Sequence, residues 1–413
     1  MKICYLCADL GISLGGHNGA STHIRSLIQT WTHLGHEVLV LTPAANAQVE
    51  MGTEVASIPR PEIFDILLAQ AQEEVEISSG RAQWNHLRLV RALGHLWNNV
   101  ALENALQNVL TRFRPDFIYE RYSPFCIAGV LMAKRLGIPH ILNVNAPLAW
   151  EGTKYRQQAL PEVAEALERR AVTSASLIVT TCQELKEDML ALGVPPSKVA
   201  VAPMGVDVNL FTPQGPAFGD KRDGKITVGF VGSLKSWHGI EVLADVFKEL
   251  AEDSRFCLMV VGDGPMMKVL HPLKVQFPDR VQLAGNVPQA EVPPYVRAMD
   301  ITVAPYPRLE RFYFSPLKVL EYMAAGRAVV ASRMGQLAEL IDDGKTGILT
   351  EPGDVKSMVQ AIRNLSLDEE LRQSLGANAC AKIRQCHTWM HRAQFILELA
   401  QKICAGQPAS SVL

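Results

Sequence analysis

Short apolar runs that each stop at a glycine, serine or proline constrain this chain more than any other feature. In the second half they end at VGS, LMVVGDGP, LAGNVP, ITVAPYP and AVVAS. Each is rich in β-branched residues, as expected of parallel strands covered on both faces. The first half uses the same device: KICYLC leads through GISLGGHNGAS to a helical stretch expected at about 22–35, and then to HEVLVLTP. Strand, glycine loop, helix, strand is a βαβ unit. The chain therefore reads as α/β with two doubly wound, Rossmann-like domains, and its 413 residues are enough for both cores. QGPAFGDKRDG, residues 214–224, is polar and glycine-rich and reads as the linker.

Bulk properties narrow the function. The formal net charge is -2, which implies no nucleic-acid surface. No apolar run approaches the length of a membrane span, and MKICYLCADL reads as a first strand rather than a secretory signal. The eight cysteines are scattered, and Cys4 and Cys7 form a CxxC with no second pair at metal spacing. Packed, reduced thiols in a cytoplasmic protein are expected.

The loop after the first strand does not match a G-x-G-x-x-G fingerprint. Gly15, Gly16 and Gly19 would still let the backbone approach a ligand at the strand's carboxyl end; the competing reading is a loop that needs glycine only for its turns. No strand alternation is visible from 44 to 113. Residues 62–77 read as an acidic helix. Across 81–114, Leu89, Leu93, Leu96, Trp97 and Val100 recur at helical spacing among several arginines. A core-facing stripe is the favoured reading, and a basic amphipathic face that meets a membrane or an anionic acceptor is the alternative. Further on, Glu120-Arg121 and Asn145 fall at strand ends, where open parallel sheets place ligands. A turn role for Asn145 is the competing reading, and Asp207 is read as a turn-former.

The richest stretch is FYFSPLKVLEYMAAGRAVVASRMGQLAELIDDGKTG, residues 312–347. Ser315 is expected to cap a helix and Pro316 to occupy its first position. Lys318 and Glu321, three apart, then share one face near the helix's positive end. Backbone N–H groups of a helix start beside a lysine suit phosphate, and a carboxylate one turn on suits sugar hydroxyls. An ordinary surface ion pair is the bland alternative.

This stretch closely resembles the donor-binding segment of retaining GT-B glycosyltransferases of family 4 (glycosyl transferase group 1). Their S-P-L-K-x-x-E-Y-M-A-x-G run is complete here from Ser315 to Gly326. The resemblance covers nearly the whole chain, and it is strongest at 229–350 and weakest at 44–115. It implies a GT-B fold whose two domains face a central cleft: an N-terminal acceptor domain at 1–213, joined by a crossover helix at about 377–413, and a donor domain at 225–376. By the resemblance, Gly15 and Gly16 face the donor phosphates and the acceptor, with His23 beside them, and Asn145 faces the transferred sugar. Asn286 and Val287 border the nucleobase, and Ser315, Pro316 and Leu317 form the phosphate-facing helix start. Lys318 bears transition-state charge and Glu321 orients the ribose, as the catalytic pair.

Two departures stand out. Ser233 and His238 replace the Arg and Lys that many relatives use to grip the diphosphate, leaving Lys318, Lys235 and backbone groups to supply that charge. Ser233 and His238 are still expected at the donor site, His238 as a hydrogen-bond donor to phosphate, with a helix-start histidine of no ligand role as the competing reading. Tyr313 stands where an E-x7-E pattern would place its first acid. The resemblance implies transfer of a sugar from a nucleotide diphosphate sugar, UDP-linked by preference, to a hydroxyl on a lipid carrier, a polysaccharide or a small metabolite. No cofactor and no obligatory metal are expected, since no D-x-D motif occurs. Peripheral contact with the inner face of a membrane is compatible with this reading. The rival functions are a GT-B-fold sugar-nucleotide epimerase and a non-catalytic scaffold subunit.

Overall fold

The computed structural model describes residues 1–16, 19–43, 52–59, 62–78, 80–219 and 224–407. The chain forms two compact units, residues 1–203 with 392–413, and residues 204–391.

The first unit holds a parallel sheet of seven strands: β1 (Lys2–Cys7), β2 (Glu37–Thr42), β3 (Glu54–Ser57), β4 (Phe117–Arg121), β5 (His140–Val144), β6 (Leu177–Thr180) and β7 (Val199–Val201). Their order is β3-β2-β1-β4-β5-β6-β7, so the winding reverses between β1 and β4. The helices are α1 (Gly19–His33), α2 (Glu62–Ile77), α3 (Arg81–Phe113), α4 (Ala128–Leu136), α5 (Leu148–Arg156), α6 (Pro161–Ser174) and α7 (Gln183–Ala191). β3 lies in the region that showed no strand pattern. It is a four-residue edge strand with no fully buried side chain, too short to carry an alternation signal. Cys4 and Cys7 are three apart on β1 and join different core clusters on the two faces of the sheet. Burial raises their thiols to about 12 and about 11, so both are packed side chains rather than reactive ones.

The stripe on α3 is a correction. Leu89, Leu93, Trp97 and Val100 are exposed, Leu96 is half-buried and packs against a core cluster as expected, and the buried face is instead Leu87, Val90, Asn98, Leu102, Leu106 and Leu110. Both faces repeat at helical spacing, and the neighbours decide between them. Gly94 sits on the buried face, where a Cβ would come within 2.0 Å of the Phe64 ring of α2. The next turn sends Asn99 to cap α4: its Oδ1 accepts from the N–H groups of Ile127 (2.8 Å) and Ala128 (3.0 Å).

The second unit repeats the plan with six parallel strands: β8 (Ile226–Val231), β9 (Phe256–Val261), β10 (Val281–Gly285), β11 (Ile301–Ala304), β12 (Ala328–Ser332) and β13 (Ile348–Thr350). Their order is β10-β9-β8-β11-β12-β13, and the reversal lies between β8 and β11. Its helices are α8 (Ile240–Leu250), α9 (Met267–Gln276), α10 (Val292–Ala298), α11 (Leu317–Ala324), α12 (Gly335–Leu340), α13 (Val355–Leu367) and α14 (Glu369–Cys386). A further helix, α15 (Trp389–Cys404), runs mostly within the first unit, where Trp31 donates its indole N–H to the Ala393 carbonyl (3.2 Å).

The chain changes unit at 203/204 and returns at 391/392. The described part of the 214–224 segment belongs to the second unit: Phe218 stacks on Tyr295 and Arg297 donates to the Pro216 carbonyl (2.7 Å). α14 stays there too, because Gly376 lets its backbone approach Gly326 so closely that a Cβ would lie 2.1 Å from that carbonyl. Asp207 caps its turn as expected, accepting from the N–H groups of Asn209 (2.9 Å) and Leu210 (3.1 Å). No helix among the described residues is long and apolar enough to cross a membrane.

Candidate active site

In doubly wound sheets, ligands bind beyond the carboxyl ends of the strands where the winding reverses. In the second unit that point is marked by Gly232 after β8 and by Pro305 and Tyr306 after β11. Gly232 adopts a φ of 137°, open to glycine and strained for other residues. A Cβ there would lie 3.1 Å from both Cε and Nζ of Lys318, so the glycine leaves room for the lysine end. Glycine is also required at 239 (φ 75°), where a Cβ would meet the Pro305 carbonyl oxygen at 1.7 Å.

Lys318 enters from the first turn of α11 and is 8% exposed. Its Nζ lies 4.1 Å from the Phe230 ring centroid and 5.5 Å from that of Tyr306, and it has no hydrogen-bond partner among the described residues. Aromatic faces compensate a cation only in part. Burial therefore drives its ammonium down to about 7, opposed by the Glu321 charge. Glu321, half-buried one turn along the same face, is pushed up to about 7 by desolvation, against the Gln289 hydrogen bond and the Lys318 charge. Gln289 donates to its Oε1 at 3.3 Å. The α11 register is fixed from behind by Tyr322, whose hydroxyl accepts the Val231 N–H at 2.6 Å.

The start of α11 differs from expectation. Helical geometry begins at Leu317 and Pro316 occupies the cap position, with no side-chain cap. Ser315 turns away instead and its hydroxyl donates to Gln336 Oε1 (3.1 Å) on α12, while the Leu317 N–H is already bonded to the Ser315 carbonyl (2.9 Å). Pro316 itself has φ −83° and ψ 63°, outside the helical region, so the helix opens one residue later than expected.

His238 is also reshaped. Its Nδ1 lies 2.6 Å from the Ser233 carbonyl oxygen and 3.4 Å from the Ser233 hydroxyl. A carbonyl only accepts, so Nδ1 carries the proton and Nε2 is bare. Burial, with the Lys318 charge, lowers the ring to about 3, so it is neutral and offers phosphate no N–H at Nε2. Lys235 lies over the Trp237 ring at 6.0 Å, and Asn286 is exposed with Val287 packed against the core beside it. Tyr313 is buried against Phe314, with Arg311 over its ring at 5.6 Å.

In the first unit the corresponding point lies between β1 and β4. The loop after β1 is pinned by Arg25, which the sequence reading did not single out: its Nη1 donates to the carbonyls of Leu14 (2.5 Å) and Gly16 (2.6 Å). Gly15 therefore sits in a tied loop, and Gly19 is the first residue of α1. His23 is fully buried, with Nδ1 3.1 Å from Arg121 Nη1. Asn145 donates to Asn143 Oδ1 (2.8 Å) at the end of β5.

Glu120 is a correction to the expected sugar or acceptor contacts. Adjacent strand residues face opposite sides, so Arg121 meets His23 while Glu120 points into the packed layer. There its Oε2 pairs with His140 Nε2 (2.7 Å), both side chains at most 3% exposed, and its Oε1 accepts from Cys126 Sγ (3.3 Å). It is a structural carboxylate.

Comparison with known proteins agrees with this geometry. Residues 225–368 match the family model described as glycosyl transferases group 1, and residues 18–205 match a glycosyl transferase 4-like domain. A D-inositol 3-phosphate glycosyltransferase of Paenarthrobacter aurescens is 24% identical over 95% of both chains. Sulfoquinovosyl transferase SQD2 of Arabidopsis thaliana is 26% identical over 68% of this chain and 56% of its own length. Among solved structures, Anabaena HepE in complex with UDP and glucose has a TM-score of 0.67 at 19% identity, covering 97% of this chain and 99% of its own. Sucrose-phosphate synthase of Thermosynechococcus elongatus reaches 0.71 at 16% identity, covering 98% and 100%. Two doubly wound sheets, the complete SPLK run and matches that together span most of the chain establish its kinship: the protein belongs to the group 1 glycosyltransferases and has the GT-B fold.

Proposed function

We propose that the chain transfers a sugar from a UDP-linked donor to a hydroxyl acceptor, with retention at the anomeric carbon and without an obligatory metal. The observation that carries this reading is Lys318, a buried ammonium at the β8/β11 reversal with no hydrogen-bond partner among the described residues. A departing diphosphate gathers negative charge in the transition state, and a fixed cation in a desolvated site stabilises that charge far more than water would. Glu321 takes the ribose hydroxyls, with Gln289 holding the carboxylate from the other side. UDP is favoured because HepE was captured with UDP, and with UDP and glucose, in the same fold. Retention follows if the leaving phosphate itself deprotonates the acceptor on the face it vacates, a route that needs no carboxylate nucleophile.

The test is a thermal-shift series with UDP, GDP, ADP, TDP and CDP, each with and without magnesium. A ligand at a hundred times its Kd adds about 2.7 kcal/mol of stability. Selective stabilisation by UDP, unchanged by chelator, is the expected result, and indifference to all five would favour a non-catalytic scaffold. The anomeric configuration of the product, read by proton NMR, tests retention. A product that appears without any acceptor would favour the epimerase.

A second observation favours peripheral membrane contact: α3 exposes Trp84, Leu89, Leu93, Trp97 and Val100, with Arg81 and Arg91 exposed on the same helix. Aromatic and aliphatic side chains flanked by arginine suit an anionic bilayer surface. Co-sedimentation with phosphatidylglycerol vesicles should fall when Leu93 and Trp97 are replaced by serine, and equal binding by that variant would remove this reading.

A further inference from the structure

The first unit contains a cationic cluster that its own carboxylates do not balance. Arg392, the fourth residue of α15, is 4% exposed. Its Nη1 donates to the carbonyls of Ala202 and Pro203, the latter at 2.6 Å. Its Nε and Nη2 make no well-formed hydrogen bond among the described residues, and the hydroxyl of Tyr5 makes none; the Tyr119 hydroxyl lies beside the guanidinium as an imperfect partner, and the two tyrosine rings stand 5.5 Å apart on neighbouring strands. Arg392 and Arg121 both act electrostatically on His23 and on both tyrosines, and each on the other. Neither arginine forms an ion pair with a carboxylate among the described residues. Glu120, adjacent in sequence, is committed to His140 on the far side of the sheet.

A buried guanidinium whose Nε and Nη2 are incompletely satisfied is costly, and a second cation beside it raises that cost. An arrangement of this kind is relieved by an anion. The guanidinium fork matches a two-oxygen group, phosphate or carboxylate, with two parallel hydrogen bonds. His23 is suited to join it: Arg121 can only donate, so Nδ1 accepts and the neutral ring carries its proton on Nε2. Arg121, at the end of β4, is the partly exposed member of the cluster.

We propose that Arg121 and Arg392, with His23, Tyr5 and Tyr119, form an anion subsite at the β1/β4 reversal that seats a phosphate or carboxylate carried by the sugar acceptor. The acceptor assignment rests on the proposed sugar transfer, whereas the anion site stands on this cluster alone. A capping role explains only the Nη1 bonds of Arg392. It leaves the incomplete satisfaction of the other two nitrogens and the pairing of two cations unexplained.

The experiment is calorimetric titration of the full chain with inorganic phosphate, with and without saturating UDP. The wild type should bind phosphate saturably whether or not UDP is present. Arg121→Gln should weaken that binding at least tenfold and Arg121→Lys should recover part of it. Arg392→Lys provides a second variant that keeps the charge while changing the fork, and it should weaken binding less than Arg121→Gln. Absence of saturable phosphate binding, or equal affinity in Arg121→Gln, would overturn the site. Displacement of phosphate by UDP would assign the anion to the donor diphosphate and overturn the acceptor assignment. UDP binding by Arg121→Gln reports separately on the transfer reading, so the two ideas cannot fail under one result.

Discussion

The two strand reversals are the same topological device filled with different charge. At β8/β11 a single ammonium, Lys318, stands on two aromatic rings with a carboxylate one helical turn away. At β1/β4 two guanidiniums flank a neutral histidine, and Glu120, next in sequence to Arg121, is turned through the sheet to His140. The fold supplies a location, and the residues that end the strands and open the following helices decide what binds there. The second unit builds a site whose charge is adjustable, because Lys318 and Glu321 both titrate near neutrality. The first unit builds one whose charge is fixed, because arginine stays protonated.

Substitutions can break this comparison at defined points. The largest effect is expected at Glu120, where alanine should cost about 3 kcal/mol of stability by stranding His140 in the packed layer. Denaturant unfolding of Glu120→Ala beside Arg121→Gln separates the two neighbours, since the second should stay near wild type in stability. A stable Glu120→Ala with impaired acceptor use would return the carboxylate to the acceptor site. Next, Lys318→Ala should lower turnover on the order of 100-fold. Steady-state kinetics with a UDP-sugar would show it, and wild-type turnover would remove Lys318 from the chemistry. Glu321→Ala should be milder, about tenfold in donor binding, with a smaller change in turnover. The smallest effect is on the pH profile of stability. The Lys318 pKa is lower in the folded chain than the ordinary 10.5, so the unfolded chain binds more protons between about 7 and 10.5 and stability rises with pH there. Glu321 has the opposite shift, and its contribution falls as pH rises from 4.5 to about 7. Lys318→Met should flatten the alkaline limb and leave the acid limb in place.

Much of this was legible in the sequence. Runs such as ITVAPYP and AVVAS identify buried parallel strands because both faces must be apolar, and the Lys318–Glu321 spacing places both on one helix face. Other features depend on partners far along the chain. Ser315 reads as a cap until Gln336, 21 residues on, takes its hydroxyl. Gln289 and Arg25 carry no local signature, since each matters only through the atom it meets. Arg392 lies 271 positions from Arg121 and joins it only because α15 returns to the first unit. On α3 two apolar stripes share one helical period, and only the close approach of Phe64 to Gly94 shows which one is buried.

The most direct test of the central claim is calorimetry of UDP binding at pH 8, in two buffers of different ionisation enthalpy, to the wild type and to Lys318→Met. A buried lysine near pKa 7 is largely neutral at that pH and regains its proton against a diphosphate. The wild type is therefore expected to take up close to one proton per UDP, as the linkage between binding and protonation requires. Lys318→Met should take up none and bind about tenfold or more weakly. Equal affinity and equal proton uptake in the two proteins would contradict the assignment of Lys318 as the diphosphate cation.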